Sequence, residues 1–596
     1  MRSFRYVYHL LREFGARWGS YLLLVGAVSL LTSGVILPLL RWITAALLQR
    51  AHIPYLGVDN VLAVLTQHPF ASLGLLGLLV LILLLVYLQF ALLLGGIDNI
   101  RRRTGLRLRT IVMEGIRDLR HLSLASFGFF ALYLLLIVPF AGIVIHSDLL
   151  SKVMIPTFVV DWIATKPWLA VLLLAFYLVV TVLGIRWIHV LPNTILHDQP
   201  LMVAARHSWQ ATRHHVWQYL WRVTLLTVLM AVLSYAWTSG LIALQTTLDQ
   251  TRVAFPAAVT TLTLLLAGQE LLAGMGSVLF LLFLVAPESP TADRVPSTLR
   301  PRHHWLRRAL VLGVGGLIVA IMAAFGAVYM RGALTEQPLT ISHRGVDAGN
   351  GVQNTLPALR KTAAERPDYV EMDLHETKDG QFIVLHDEDL RALAGIDRTP
   401  HSLTLAQLTQ ITVRENGHHA KLASFDDYLA TAEALDQKLI VELKTTSADS
   451  PQMLAHFIQR YAQRLIAHGD RVHSLNYPLM VQLHRRVPAL YVSFIMPYSL
   501  VAPQTDLSAY TVEYSTLDTS LVDAVHARHQ GVWAWTVNDR DAMAAMVFAD
   551  VDGIITDDLS TLKQVLAAQS DHPSYAQRLR IFAQTLSGLG EPVVSN

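Results

Sequence analysis

The feature that most constrains this chain is a series of long, nearly uncharged apolar runs in its first 330 residues. A helix needs about 20 apolar residues to cross a bilayer. Candidate spans are Tyr21–Leu40, Leu73–Leu94, Phe127–Ile145, Trp168–Ile188, Val223–Leu244 and Leu310–Met330. A longer run, Phe255–Val285, reads as one tilted span or a broken one, because Gly268, Gly274 and Gly276 weaken its middle. The expectation is about seven spans. Helices buried in a soluble bundle would show polar faces, and runs such as Leu73–Leu94 have none. Charged residues make up only 15% of the chain, against roughly 25% in soluble globular proteins.

Basic residues in the loops set the expected topology. Arg2, Arg5, Arg12 and Arg17 precede the first span. Arg101, Arg102, Arg103, Arg107, Arg109, Arg117 and Arg120 follow the second. Arg206, Arg213 and Arg222 follow the fourth, and Arg294, Arg300, Arg302, Arg307 and Arg308 precede the last. The alternate loops are poorer, holding Arg41 and Arg50, then Lys152 and Lys166, then Arg252. An odd number of spans places the N-terminus in the cytoplasm. Everything after Met330 is then on the extracellular or periplasmic side of the plasma membrane. The first segment is too long for a cleavable signal peptide, and no small-residue cleavage site follows it.

Composition closes off other classes. With Cys at 0 there is no disulfide framework, no Cys-ligated zinc or iron–sulfur site and no Cys nucleophile. A net charge of +3 gives no case for nucleic-acid binding. The high apolar content excludes disorder.

After Met330 the pattern changes to strand-length apolar segments alternating with amphipathic ones. Strands are expected at Leu339–Ser342, Tyr369–Leu374, Phe382–Leu385, Leu439–Leu443, Arg471–Leu475, Tyr491–Ile495, Tyr510–Tyr514, Val532–Val537 and Gly553–Thr556. Helices are expected between them, for example at Thr355–Glu365, Met453–Leu465 and Arg540–Phe548. Such alternation implies a parallel sheet covered by helices. About eight repeats fit a closed (β/α)8 TIM barrel better than an open sheet. Phe382–Leu385, after the Lys378-Asp379-Gly380 turn, reads as an added hairpin strand. The expected organisation is a polytopic membrane domain over residues 1–335, an α/β barrel over 336–568 and a tail over 569–596. Within the tail, Ser574–Leu586 has the pattern of an amphipathic helix for the barrel or the membrane surface, and the last residues read as disordered.

Barrel chemistry belongs at the C-terminal strand ends. The first strand ends in Ser342-His343-Arg344-Gly345. The second carries Glu371 and Asp373 on one face, the added strand ends in His386-Asp387, and the next carries Glu442 and Lys444 on one face. Three carboxylates aimed at one spot repel unless a cation joins them, and oxygen donors suit Ca²⁺ or Mg²⁺. Glu371, Asp373 and Glu442 are the natural ligand set. His343 and His386 suit a general acid and base. Arg344 and Lys444 suit a phosphate. Together they suggest phosphodiester cleavage.

These motifs resemble the glycerophosphodiester phosphodiesterase family. The resemblance is carried by His343-Arg344-Gly345, Asn354-Thr355, Glu371-Met372-Asp373-Leu374, Asp379-Gly380 before His386-Asp387, and Glu442-Leu443-Lys444. Trp535-Thr536-Val537-Asn538 and Val551-Asp552-Gly553-Ile554-Ile555-Thr556-Asp557 extend it, so that it covers Thr340–Leu566. The first half resembles, in architecture, the membrane domain fused to this enzyme in one bacterial subgroup. The resemblance implies one divalent cation on Glu371, Asp373 and Glu442, acid–base work by His343 and His386, and phosphate binding by Arg344 and Lys444. It implies attack by a neighbouring substrate hydroxyl through a cyclic phosphate. The products would be an alcohol and glycerol 3-phosphate. One departure is visible: many members have Glu before the Asn-Thr pair, where this chain has Gln353.

Other residues are less telling. Trp533 and Trp535 share a strand face, so Trp535 suits either the substrate pocket or the barrel core. His207, His214, His215, His303, His304, His418 and His419 read as surface or interfacial rather than as ligands. Arg186 and His189 sit near a span end, where they snorkel. Glu270 is an ionisable residue inside an apolar run. With the broken-looking glycine run it supports an alternative, a lipid or substrate transporter whose barrel only binds. Substrates directed by the main reading are glycerophosphodiesters, lysophospholipids or polyglycerol phosphates, with membrane lipids as neighbours. A related barrel lipase acting on phosphoinositides or sphingolipids shares the same logic. Oligomeric state is not readable from the sequence.

Overall fold

The computed structural model describes residues 2–57, 60–102, 113, 128–134, 155–286, 304–332, 337–499, 501–570 and 573–588. Apolar helices come first: α1 (Arg2–Leu31), α2 (Leu37–Arg50), α3 (Val61–Gln67), α4 (Pro69–Arg102), α5 (Thr157–Ala164), α6 (Pro167–Arg186), α7 (Val190–His197), α8 (Leu201–Thr212), α9 (Val216–Leu248), α10 (Ala254–Val285) and α11 (His304–Met330). A π-helical turn, Thr32–Ile36, joins α1 to α2. Among the described residues, six helices are long and apolar enough to cross a membrane: Ser3–Arg50, Pro69–Arg102, Pro167–His197, Val216–Leu248, Ala254–Val285 and Leu312–Met330. Of the expected span Phe127–Ile145, only residues 128–134 are described, and they are helical. Arg103, Arg107, Arg109, Arg117, Arg120, Lys152, Arg294, Arg300 and Arg302 lie outside the described residues.

The glycine-rich run in α10 does not break the helix. A Cβ on Gly268 would meet Trp237 Nε1 at 2.0 Å, so the glycine lets the indole of α9 lie against α10. Trp237 then donates to the Leu264 carbonyl at 3.2 Å. The missing side chain serves a close helix–helix approach. Ser234 and Thr238 add hydrogen bonds to Gln269 at 2.9 and 2.8 Å. Glu270 lies exposed on α10.

The second half supplies eleven strands: β1 (Leu339–Ser342), β2 (Tyr369–Glu376), β3 (Phe382–Val384), β4 (Thr412–Glu415), β5 (His418–Lys421), β6 (Leu439–Leu443), β7 (Arg471–Ser474), β8 (Tyr491–Met496), β9 (Ala509–Glu513), β10 (Gly531–Trp535) and β11 (Gly553–Thr556). The order β1-β11-β10-β9-β8-β7-β6-β2 is parallel throughout, and the β1–β2 pairing closes it into an eight-stranded barrel. β3 is the expected hairpin strand, antiparallel to the end of β2. The β4–β5 hairpin was not read from the sequence.

Side-chain parity sorts the barrel. Outward residues such as Val370, Met372, Leu374, Val441 and Val472 join the large core under the helices. Inward residues Ile341, Tyr369, Ile440, Ala509, Trp533 and Ile555 fill the base of the barrel. Arg471 plugs that base, its guanidinium 4.5 Å from the Tyr369 ring and 4.3 Å from the Tyr491 ring. Among the described residues, eight helices of eight residues or more accompany the strands: α12 (Leu356–Ala364), α13 (Phe425–Ala434), α14 (Met453–His468), α15 (Tyr477–Arg486), α16 (Thr519–His526), α17 (Arg540–Phe548), α18 (Leu559–Ser570) and α19 (Tyr575–Gly588). Several start on side-chain caps, such as Asp518 to Leu521 N at 2.9 Å and Asn476 to Leu479 N at 3.0 Å.

The two halves touch at several places. Gln504 N donates to Pro54 O at 2.7 Å, and the Tyr55 ring packs 4.7 Å from Phe494. Arg41 reaches Asp518 at 3.4 Å. The tail helix α19 packs on α17 and on α9 and α10, with Ala576 N donating to Asp249 Oδ2 at 2.9 Å. The expected amphipathic tail helix therefore rests on both barrel and membrane helices. The final residues 589–596 lie outside the described residues.

Candidate active site

Above the apolar base, the inward positions turn polar. Continuing the same parity, Tyr369 is followed on β2 by Glu371, Asp373 and His375, and Ile440 on β6 by Glu442 and then Lys444. Register places Glu442 beside both Asp373 and His473. Glu371, Asp373, His375, Glu442 and His473 are all buried.

At the end of β1, the His343–Gly345 turn needs unusual backbone. Arg344 has φ 53 and Gly345 φ 66, both left-handed. A Cβ on Gly345 would meet Tyr428 Oη at 2.7 Å, so only glycine fits there. The turn aims Arg344 N at Glu371 Oε2, 2.9 Å away. Asp557, one residue past β11, takes His343 Nδ1 at 2.7 Å. Arg344 Nε donates to His343 Nε2 at 3.2 Å, and its Nη1 donates to Gln353 Oε1 at 2.7 Å. Burial lowers the His343 pKa, but the Asp557 carboxylate, with Glu371, outweighs burial and Arg344 and raises it. Asp557 is held far below the usual carboxylate range: burial opposes this, and His343, Asn538 and Arg344 prevail.

Asp373 and Glu442 share the Lys444 ammonium, and Arg344 Nε stands 3.9 Å from Asp373 Oδ2. Lys444 Nζ lies 3.0 Å from Asp373 Oδ1 and 2.8 Å from Glu442 Oε1. Asn354 Nδ2 donates to Asp373 Oδ2 at 2.7 Å. Burial disfavours the Asp373 charge, yet Lys444, His386, Arg344 and the Asn354 hydrogen bond drive its pKa well down. Lys444 is raised despite burial by the same two carboxylates. Glu442 is pushed up by burial and by its carboxylate neighbours, against the pull of Lys444. Three buried carboxylates, Glu371, Asp373 and Glu442, thus meet two basic side chains, Lys444 and Arg344.

Donor atoms of Glu371, Glu442 and His473 all lie within 4.8 Å of one another. His473 Nε2 is buried, makes no hydrogen bond, and faces Glu371 Oε1 at 3.5 Å. An orphaned ring nitrogen beside excess carboxylate fits a hard divalent cation. Sequence reasoning named Glu371, Asp373 and Glu442 and missed His473. In this geometry Asp373 stands with Lys444 and Asn354, beside that group.

His386 comes from the loop after β3. Asp387 takes its Nδ1 at 2.8 Å. Its carbonyl accepts from His375 Nε2 at 3.1 Å. Burial pushes the His375 pKa down to about 4, so this ring is neutral and holds the loop as a donor. Asp387 is kept low, first by the hydrogen bond from His386. Both candidate acid–base histidines thus have Nδ1 tied to an aspartate, and His343 Nε2 also meets Arg344 Nε.

Trp535 closes β10 in register with Glu513 at the end of β9. Its indole donates to Thr511 O at 3.1 Å. Neither residue is covered by barrel alone. Thr157 Oγ1 of α5 donates to Glu513 Oε1 at 2.8 Å, and the Phe158 ring lies 5.7 Å from that of Trp535. Asp557, Asn354, His375, His473 and Glu513 were given no role from the sequence. Inward parity on strands already read was the signal for His375, His473 and Glu513, a place just past β11 for Asp557, and the Asn354-Thr355 motif for Asn354.

Residues 7–329 match the membrane domain of glycerophosphoryl diester phosphodiesterase, and residues 343–561 match the glycerophosphoryl diester phosphodiesterase family. A glycerophosphodiester phosphodiesterase of Caldanaerobacter subterraneus subsp. tengcongensis is 25% identical over 233 residues, covering 38% of this chain and 96% of the relative. A glycerophosphodiester phosphodiesterase of Arabidopsis thaliana is 25% identical over 248 residues, covering 39% of this chain and 74% of the relative. Among solved structures, a phosphodiesterase of Oleispira antarctica in complex with sn-glycerol-3-phosphate aligns at 20% identity and a TM-score of 0.34. That alignment covers 38% of this chain and 96% of the other.

Proposed function

The chain belongs to the glycerophosphodiester phosphodiesterase family, in the branch with an N-terminal membrane domain, and from that premise we propose how its barrel mouth works. It is a multi-pass membrane protein and a phosphoric diester hydrolase. The proposed reaction is metal-dependent hydrolysis of a glycerophosphodiester to an alcohol and glycerol 3-phosphate. The observation that carries this reading is the meeting of two Asp-tied histidines with buried carboxylates, Lys444 and Arg344 at one set of strand ends.

Glu371 and Glu442 would hold the cation, with Asp373 and His473 beside them. When bound, a Ca²⁺ or Mg²⁺ ion supplies Lewis-acid stabilisation of charge growing on the phosphoryl oxygens. Arg344 and Lys444 orient the phosphate, one as a planar fork and one as a point charge. His343 and His386 move protons through Nε2. One takes the proton of the attacking glycerol hydroxyl and the other gives a proton to the leaving alcohol oxygen. Water then opens the cyclic phosphate with the roles reversed. Asp557 and Asp387 fix the tautomers and stabilise each ring when it is charged.

The proposed side for the barrel is the one outside the cytoplasm. The loops that reach it, at Arg41 to Tyr55, Thr157 and Asp249, are the basic-poor ones, which supports that side.

Metal-stripped enzyme should lose hydrolysis of glycerophosphocholine and regain it with Ca²⁺ or Mg²⁺. Glu371→Ala and His343→Ala should abolish it in folded protein. Full activity in either variant overturns the assignment.

A further inference from the structure

The barrel mouth is walled on one side by the membrane half. Glu513 and Trp535 sit in register at the ends of β9 and β10, both inward by parity and both on the catalytic face. Helix α5 covers that edge. Thr157 is buried and donates to Glu513 Oε1 at 2.8 Å, and its backbone N–H donates to Ser515 Oγ at 3.3 Å. These bonds fix the start of α5 on the rim. Phe158 then lies against Trp535.

Past Thr157, α5 is open and apolar except for Asp161, which stands next to Trp162. Phe158 is 37% exposed, and Trp162, one turn on and on the same side, is 58% exposed. Only Thr165 and Lys166 separate the helix from the membrane-spanning α6, which begins at Pro167. At about 1.5 Å per helical residue, Phe158 is on the order of 15 Å from the start of the span. An open aromatic pair so close to a span belongs at the level of the lipid headgroups. The mouth therefore opens beside the bilayer surface, with an aromatic strip leading from it towards the hydrocarbon.

We propose that α5 is the outer wall of the catalytic mouth and that Phe158 and Trp162 receive the hydrocarbon chain of a phosphodiester held in the bilayer. The inference rests on the reading of the mouth as a phosphodiesterase site and deepens it by naming the substrate class. If the attacking group is the substrate hydroxyl next to the phosphate, that hydroxyl must be free. The substrate is then a glycerophospholipid with one chain. The hydroxyl oxygen forms the new P–O bond, the bond to the headgroup alcohol breaks, and that alcohol leaves with the transferred proton. Water reopens the ring to leave a single-chain glycerol phosphate. A two-chain phospholipid has no such hydroxyl and is refused.

The test uses full-length protein in dioleoylphosphatidylcholine vesicles. It compares kcat/KM for lysophosphatidylcholine in the same bilayer with kcat/KM for water-soluble glycerophosphocholine. Phe158→Ala and Trp162→Ala should each lower the lysolipid-to-soluble ratio about tenfold, as loss of an aromatic contact surface of this size implies. Phe158→Leu, which keeps apolar bulk, should recover most of it. A ratio unchanged or raised in folded Trp162→Ala protein overturns the proposal, as does wild-type enzyme that cleaves the soluble diester but not the lysolipid. Wild-type enzyme that cleaves neither overturns the phosphodiesterase reading itself, so the two failures are distinct.

Discussion

Asp557 and His343 stand 214 residues apart in the chain and 2.7 Å apart in the fold. The carboxylate after β11 thereby sets the charge on the ring after β1. The net effect raises the His343 pKa, so stabilisation from this pair is complete below the unfolded value of about 6.5 and fades as pH rises through the folded one. Asp557 acts oppositely: its depressed pKa gives stability that is present above about 4 and is lost as pH falls. Asp557 keeps 43% of its side chain exposed, so solvent screens the pair and its main effect is on the ring. Asp557→Asn should move the limb of the kcat/KM–pH profile that reports His343 to lower pH. NMR titration of the His343 ring should show the same shift. A limb that does not move would remove Asp557 from this role.

Lys444 is the resident cation among the carboxylates, with 15% of its side chain exposed against 1% for Asp373. Removing one partner of a buried ion pair costs about 3–5 kcal/mol. Lys444→Met should therefore lower the melting temperature sharply in chelator. Added Ca²⁺ or Mg²⁺ binds only the folded mouth and should restore much of the loss by mass action. The cation-dependent rise in melting temperature should be larger in the variant than in wild type. An equal rise in both would mean that the cation does not share the carboxylates with Lys444.

The absence of cysteine makes the topology directly measurable. Asp397 is exposed on the barrel, and His214 is exposed in the turn between α8 and α9, among the basic loops. Asp397→Cys should react with a membrane-impermeant maleimide in intact cells. His214→Cys should react only after permeabilisation. The reverse pattern would invert the proposed orientation.

Strand ends were legible because period-2 patterning and the barrel rule act locally. Glu371, Asp373, Glu442 and Lys444 fall on inward positions that can be counted from the apolar residues beside them. His473 obeys the same count on β7 and was passed over because the inward position beside it on that strand is Arg471, not an acid. Its significance appears only in register, opposite Glu442. The single run Phe255–Val285 was ambiguous for a different reason. Glycine lowers helix propensity everywhere, but here Trp237 occupies the space that Gly268 leaves. That depends on a neighbour 31 residues away. Helix α5 was invisible as a functional element, since a short, mostly apolar segment before a span gives no sign that it docks on a barrel rim.

Gln353, the visible departure from the family pattern, has a local cause. Its Oε1 accepts from Arg344 Nη1 at 2.7 Å, while its Nε2 donates to Glu415 Oε1 at 2.6 Å and its backbone N–H to Glu415 Oε2 at 2.9 Å. An amide can serve both neighbours at once, as acceptor to the arginine and donor to the acid. A carboxylate here could serve only the arginine and would face Glu415 as a like charge. The acid needed to hold Arg344 has in effect moved to the β4–β5 hairpin and works through the amide. Gln353→Glu alone should cost about 1–3 kcal/mol, the range for leaving a partly buried polar contact unmade. It should also raise KM for a glycerophosphodiester through a displaced Arg344. Glu415→Gln alone should weaken the same chain. The double variant Gln353→Glu with Glu415→Gln restores a donor opposite an acceptor, so its loss should be smaller than the sum of the two single losses. Thermal unfolding and kcat/KM over the four proteins of the cycle measure that coupling. Strict additivity would show that Gln353 and Glu415 act independently, and the compensation would then be absent.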